Sequence, residues 1–219
     1  MQKEVALLTI CKKPFEKELA LALLEQRLTV YVLGHCELNG VHVLEENARK
    51  AYEQLKESNI TVDLYIENAD EQVNGDDFHI RDGINEDILI KSFRANVSDC
   101  MSRLETFLPL MKKSEKKRLC FLSTKEATVS GSTRTSGYGY AVSKGAFHNF
   151  LQMARNKLAP LGYTLRIYDP MTGVIDPQSA AAGAVHLFLR DRAMDPVLSI
   201  RDDEKRLKLR DAEGREHAW

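Results

Sequence analysis

The chain has only four cysteines, Cys11, Cys36, Cys100 and Cys120, and no two of them form a C-x-x-C pair. That sparse spacing argues against a zinc ribbon and against a disulfide-dense secreted scaffold, and it fits reduced thiols. A surplus of charge is also missing, since 31 Lys and Arg face 32 Asp and Glu for a net charge of −1 with histidine neutral. Without a positive field to hold a phosphate backbone, nucleic acid is not expected as a partner. No signal-type segment follows Met1 and no apolar run has membrane length, which predicts a soluble, cytoplasmic protein with no membrane partner. The six histidines include no pair four residues apart, so no metal site is expected. No repeat, low-complexity linker or charge block interrupts the sequence, and 1–219 reads as a single domain.

What is present is an alternation of short apolar runs with helix-period segments. Val5–Ile10, Leu28–Leu33, Ile60–Ile66, Arg118–Leu122 and Tyr163–Tyr168 read as strands, mostly without polar alternation, as buried parallel strands do. Gly40–Leu44 reads as a short further strand. Helices are expected from Pro14 to Gln26, Glu45 to Ser58, Asn85 to Met111, Tyr140 to Leu158, and from Pro177 to about Arg190, with Pro109 bending or ending the third. Val197–Arg210 reads as two short strands joined through Asp202-Asp203-Glu204. The rhythm predicts an α/β fold: a Rossmann-like, doubly wound parallel sheet in three αβα layers.

The most specific string is Tyr140-Ala-Val-Ser-Lys144 at the start of a helix. Residues four apart share a helical face, so the phenol and the ammonium can address one small molecule. A nearby ammonium favours phenolate, and Lys144 is expected to lower the Tyr140 pKa from its ordinary value near 10. A Tyr at such a position also reads as a half-buried aromatic.

With its neighbours, this string resembles the short-chain dehydrogenase/reductase superfamily. Arg118-Leu-Cys-Phe-Leu-Ser-Thr124 is similar to that family's fifth strand and catalytic hydroxyl, Phe93-Arg-Ala-Asn96 to the helix with its active-site Asn, Val62-Asp-Leu-Tyr-Ile-Glu-Asn68-Ala69 to its fourth strand, and Arg166-Ile-Tyr-Asp-Pro170 to its sixth. The resemblance spans Val5 to Arg190. It implies that Tyr140 exchanges a proton with a carbonyl or alcohol oxygen held by Thr124, with Ser123 as the alternative. Lys144 would also bind a nicotinamide ribose and Asn96 would anchor a relay water. Asn68, Ala69, Pro170 and Thr172 would border the cofactor, either NAD or NADP. The helices around Asn85–Met111 and Tyr140–Leu158 resemble the family's oligomer interface, implying a homodimer or homotetramer.

The sequence departs from that pattern at the turn after the first strand, where three glycines are expected and Thr9-Ile-Cys-Lys-Lys-Pro-Phe-Glu16 stands instead. Those glycines allow the tight turn and the close approach of backbone to pyrophosphate, and Glu16 sets negative charge beside it. Lys12 and Lys13 are candidate phosphate ligands at the helix N-terminus; the same pair also reads as solvated charge. Asp70 and Met171 replace two further family glycines. Two functions follow: an NAD(P)-dependent oxidoreductase acting on a carbonyl or secondary alcohol, or a non-catalytic scaffold or ligand sensor that has lost dinucleotide binding.

Overall fold

A computed structural model describes residues 3–68, 70–79, 81, 83–130, 132–190 and 207–217. These residues build an eight-stranded sheet in the order β3-β2-β1-β4-β5-β6-β7-β8. The strands are β1 (Val5–Leu8), β2 (Thr29–Leu33), β3 (His42–Leu44), β4 (Leu64–Asn68), β5 (Arg118–Leu122), β6 (Thr164–Asp169), β7 (Leu209–Asp211) and β8 (Glu216–His217). All pair in parallel except β8, which runs antiparallel to β7. Helices α1 (Pro14–Glu25) and α6 (Pro177–Phe188) pack together on one face. On the other lie α2 (Ala48–Glu57), α3 (Glu86–Phe93), α4 (Asp99–Met111) and α5 (Tyr138–Leu158).

The apolar runs divide by pleat between two cores. Alternate side chains of β1, β4 and β5 enter one or the other: Leu7, Tyr65 and Phe121 meet Phe107 and Phe147, whereas Leu8, Ile66 and Cys120 meet the α1 and α6 side. Each fully buried Leu or Phe contributes about 1.5–3 kcal/mol, so both faces of the central strands stabilise the sheet.

Several expectations shift. β4 begins at Leu64 rather than Ile60, because the preceding backbone is drawn aside: Val62 N–H donates to the Leu110 carbonyl and the Asp63 carboxylate accepts from Val5 N–H at 2.9 Å. The single long helix expected from Asn85 is broken by a π-helical turn over Arg94–Ser98. Pro109 lies inside α4, two residues from its end. The tail expectation falls largely on residues 197–206, outside the described residues, and the hairpin that is described runs from Leu209 to His217.

The sheet reverses its winding at β1, whose neighbours are β2 and β4. In such sheets ligands bind outside the C-terminal strand ends at the switch point. A cleft of about 700 Å3 opens there, bordered by the segments that follow β1, β4, β5 and β6. No helix among the described residues is long and apolar enough to cross a membrane.

Candidate functional site: a cleft closed by its own carboxylates

The first wall of the cleft is the N-terminus of α1. Helix N-termini expose N–H groups without partners and carry partial positive charge, which is why phosphates bind there. Here the chain supplies its own anion. Glu16, at the third helical position and only 2% exposed, accepts from the backbone N–H of Lys12 at 2.6 Å and of Lys13 at 2.8 Å. Its other oxygen accepts from the Asn68 amide at the end of β4. Pro14 contributes no N–H at all. The Lys12 ammonium turns away to Glu46 at 3.4 Å, while Lys13 lies along the cleft and reaches Asp70 Oδ2 at 3.3 Å and its carbonyl at 3.1 Å.

The second wall holds Tyr140. Asp76 caps α5 by accepting from Gly139 N–H at 2.9 Å and Tyr140 N–H at 2.7 Å, which fixes the start of the helix. Glycine is required at 139, because a Cβ there would stand 2.7 Å from Ser92 Oγ on α3. The Tyr140 hydroxyl donates to Asp70 Oδ1 at 2.6 Å. This reverses the expected activation: burial first, and then the Asp70 charge and hydrogen bond, push the phenol well above its ordinary value. Lys144 does not prevail, because it is fully buried and burial itself pulls its ammonium down to about 8 against the opposing pull of Asp70. Burial would also raise Asp70, but the Lys144 charge, then the Tyr140 and Lys13 hydrogen bonds, hold its carboxyl below the usual range. At neutral pH Tyr140 is therefore a hydrogen-bond donor to a carboxylate, with no phenolate within reach.

Asn96 sits in the π-helical turn, fully buried, and clamps the segment after β4. Its Oδ1 accepts from Glu71 N–H at 2.8 Å, and its Nδ2 donates to the Glu71 carbonyl at 2.9 Å and to Ser143 Oγ at 3.0 Å. Ser123 and Thr124 both border the cleft beyond β5. Thr124 caps the short turn at Lys125–Ala127 through Glu126 N–H. Ser123 is paired with His148 Nε2 at 2.7 Å. Burial, and then the Lys144 charge, push this imidazole down to about 3, so it is neutral. Pro170 and Thr172 form the opposite rim, and Ala69 lies outside the described residues. Met171 keeps the left-handed backbone, φ 49°, that the glycine it replaces would adopt freely, at a cost of about 1–2 kcal/mol.

The capping role of Glu16 and the site residues His148 and Asp76 escaped sequence reasoning, the first two with a readable signal. A carboxylate three residues after Lys13 is a capping-box spacing. His148 follows Lys144 by one helical turn. Asp76 lies in a turn-rich loop, and its carboxylate finds a helix N-terminus 63 positions away, for which sequence has no local signal.

The cofactor that such a fold implies is a nicotinamide dinucleotide, and these residues do not fit it. The diphosphate position is taken by the Glu16 carboxylate, and the one tyrosine hydroxyl of the motif is engaged by Asp70. Among the described residues no group of His, Cys, Asp and Glu is arranged to hold a metal ion.

The strand order, the switch-point cleft and the Tyr140–Lys144 helix facing Ser123 and Thr124 define the short-chain dehydrogenase/reductase fold. Solved structures carry the same architecture over the full length of both chains. A protein assigned as a short-chain alcohol dehydrogenase from Burkholderia multivorans superposes with a TM-score of 0.81 at 15% identity. The carbonyl reductase Sniffer of D. melanogaster gives 0.79 at 14%, and a carbonyl reductase from Pseudomonas aeruginosa PAO1 in complex with NADP gives 0.76 at 13%. No family model and no curated protein matches the chain.

Proposed function

We propose that this chain is a short-chain dehydrogenase/reductase-fold protein whose cleft receives a small organic ligand and no dinucleotide, a sensor or scaffold rather than a hydride-transfer enzyme. The observation that carries this reading is the Glu16 carboxylate on the N–H groups of Lys12 and Lys13. A diphosphate would have to displace it, leaving a carboxylate beside two further negative charges. The cleft is within the size range of ligand pockets, with Phe15, Leu122 and Ile175 as apolar surface and Thr124, Lys125 and Arg134 as hydrogen-bonding groups. That lining suits a partly apolar molecule with one polar end.

A second reading is an NAD(P)-dependent oxidoreductase acting on a carbonyl or secondary alcohol. It is favoured by the convergence of Tyr140, Lys144 and Asn96 beside the Ser123-Thr124 strand end, and it requires Glu16 to leave the helix. Titrating the pure protein with NADH and with NADPH, following nicotinamide fluorescence and thermal shift from micromolar to millimolar ligand, separates the two. No shift with either is expected. Saturable binding of either would move the assignment to the oxidoreductase, since a ligand at about 100 times its Kd stabilises by about 2.7 kcal/mol.

We also propose that the chain self-associates as a dimer or tetramer through the α3, α4 and α5 side. Ile90, Phe93, Met101, Val142 and Met153 leave large apolar side chains in solvent there. Light scattering during gel filtration is expected to return a multiple of the chain mass; a single-chain mass at micromolar concentration would reject the assembly.

A further inference from the structure

Cys11 and Cys36 are separated by a strand and a helix in sequence, yet the fold brings their sulfurs together. Cys11 lies in the turn between β1 and α1, and Cys36 in the loop that leaves β2 past Gly34, which holds φ 70°. Cys36 Sγ donates to Cys11 Sγ at 3.0 Å. A disulfide needs about 2.05 Å between sulfurs, so roughly 1 Å of closure completes the bond. Cys11 Sγ also contacts the Glu16 carbonyl at 3.8 Å, which ties the pair to the turn that carries the cleft's capping carboxylate. All four thiols are reduced in this structure, and Cys100 and Cys120 are buried on opposite sides of the sheet.

We propose that Cys11 and Cys36 are a reversible dithiol–disulfide site that reacts with low-molecular-weight disulfides of the glutathione class. The roles of the two sulfurs differ. Cys11 is 1% exposed, and burial, then Cys36 and Glu16, push its thiol far up, so it is a poor first nucleophile. Cys36 is partly exposed and attacks first. Its thiolate bonds to one sulfur of the oxidant, whose S–S bond breaks and releases one thiolate. Cys11 then loses its proton, attacks the Cys36 sulfur and expels the second thiolate. One disulfide is reduced to two thiols while two protein thiols become one disulfide, so electrons and protons balance. The bond would pin the turn that presents Glu16 to the end of β2.

The test uses the folded, full-length chain equilibrated with glutathione disulfide and glutathione over a range of ratios, quenched with an alkylating agent and digested with trypsin without reduction. The expected product is a linkage between the tryptic peptides 4–12 and 28–49, removed by dithiothreitol, with Cys100 and Cys120 recovered alkylated only after denaturation. Cys11→Ser is expected to trap a mixed glutathione disulfide at Cys36, and Cys36→Ser to leave Cys11 unmodified. A wild type that keeps a glutathione adduct on Cys36 without forming the link, or that links only in urea, would overturn the proposal. Because the wild type alone decides between these outcomes, a misfolded variant does not blunt the test.

Discussion

Replacing Glu16 with alanine is expected to lower the melting temperature by about 6–12 °C, and inorganic pyrophosphate is expected to restore part of that loss in the variant while leaving the wild type unchanged. The carboxylate satisfies three donors at once: the backbone N–H groups of Lys12 and Lys13 and the Asn68 amide. Loss of a helix cap with hydrogen bonds to a charged group costs about 3 kcal/mol. For a chain of this size each kcal/mol moves the midpoint by about 2–4 °C. The vacated helix end keeps its partial positive charge and its unpartnered N–H groups, which are the elements of an anion site. Differential scanning calorimetry with and without pyrophosphate reads both effects. A variant that melts with the wild type would mean that the carboxylate is not closing the helix. A wild type that pyrophosphate stabilises as strongly as the variant would remove the argument against dinucleotide binding.

The order of strands and helices was legible because each buried run is short and each helix carries its own start signal. Arg118–Leu122 needed no adjustment, and Pro14 at the first helical position marked α1 correctly. Boundaries failed where a side chain far away in sequence redirects the backbone. Asp63 binds Val5 N–H and Ser114 Oγ, and this delays β4 by four residues in a stretch whose β-branched composition still reads as strand. The π-helical turn at Arg94–Ser98 was invisible because the apolar period of Phe93, Val97 and Met101 continues through it. Within that turn Asn96 is clamped to the backbone of Glu71.

At the site, sequence order located the residues but not their partners. Asp70 was visible as a replaced glycine, yet that its carboxylate would take the Tyr140 hydroxyl depends on a contact across 70 positions. The expectation that Lys144 lowers the phenol treated the ammonium as the one charge nearby. Its own burial and the intervening Asp70 carboxylate decide the outcome instead. The pairing of Glu16 with Asn68 closes the cofactor end by the same logic: a departure at Glu16 and a family-like Asn68, far apart in sequence, meet as acceptor and donor in the fold.

Acid is expected to destabilise the protein well before its carboxylates protonate, and His148 is the reason. Burial, then the charge of Lys144, hold this imidazole down at about 3, whereas in the unfolded chain it titrates near 6.5. Between those values the unfolded state binds a proton that the folded state refuses. The imidazole's contribution to stability is therefore fully present above about pH 6.5 and is lost as pH drops toward 3, by up to about 5 kcal/mol at 1.36 kcal/mol per pH unit. Asp70 and Asp211 also have depressed values, but their contribution is lost only below the ordinary carboxylate range near 3.8, so the interval from pH 6.5 to 4.5 belongs to the imidazole. Lys144 acts in a separate window. Its ammonium, pulled from 10.5 to about 8, weakens the fold below pH 8, and that penalty is relieved as pH rises toward 10.5. Urea unfolding at pH 6.5 and 4.5 is expected to differ by roughly 2–3 kcal/mol in the wild type. His148→Gln keeps an amide that can bond Ser123 Oγ while removing the titration, and its stability is expected to be nearly flat over the same interval. If wild type and variant lose stability in parallel, the imidazole is not the group that titrates, and the Ser123–His148 pair would have to be protonated or solvated in the folded protein.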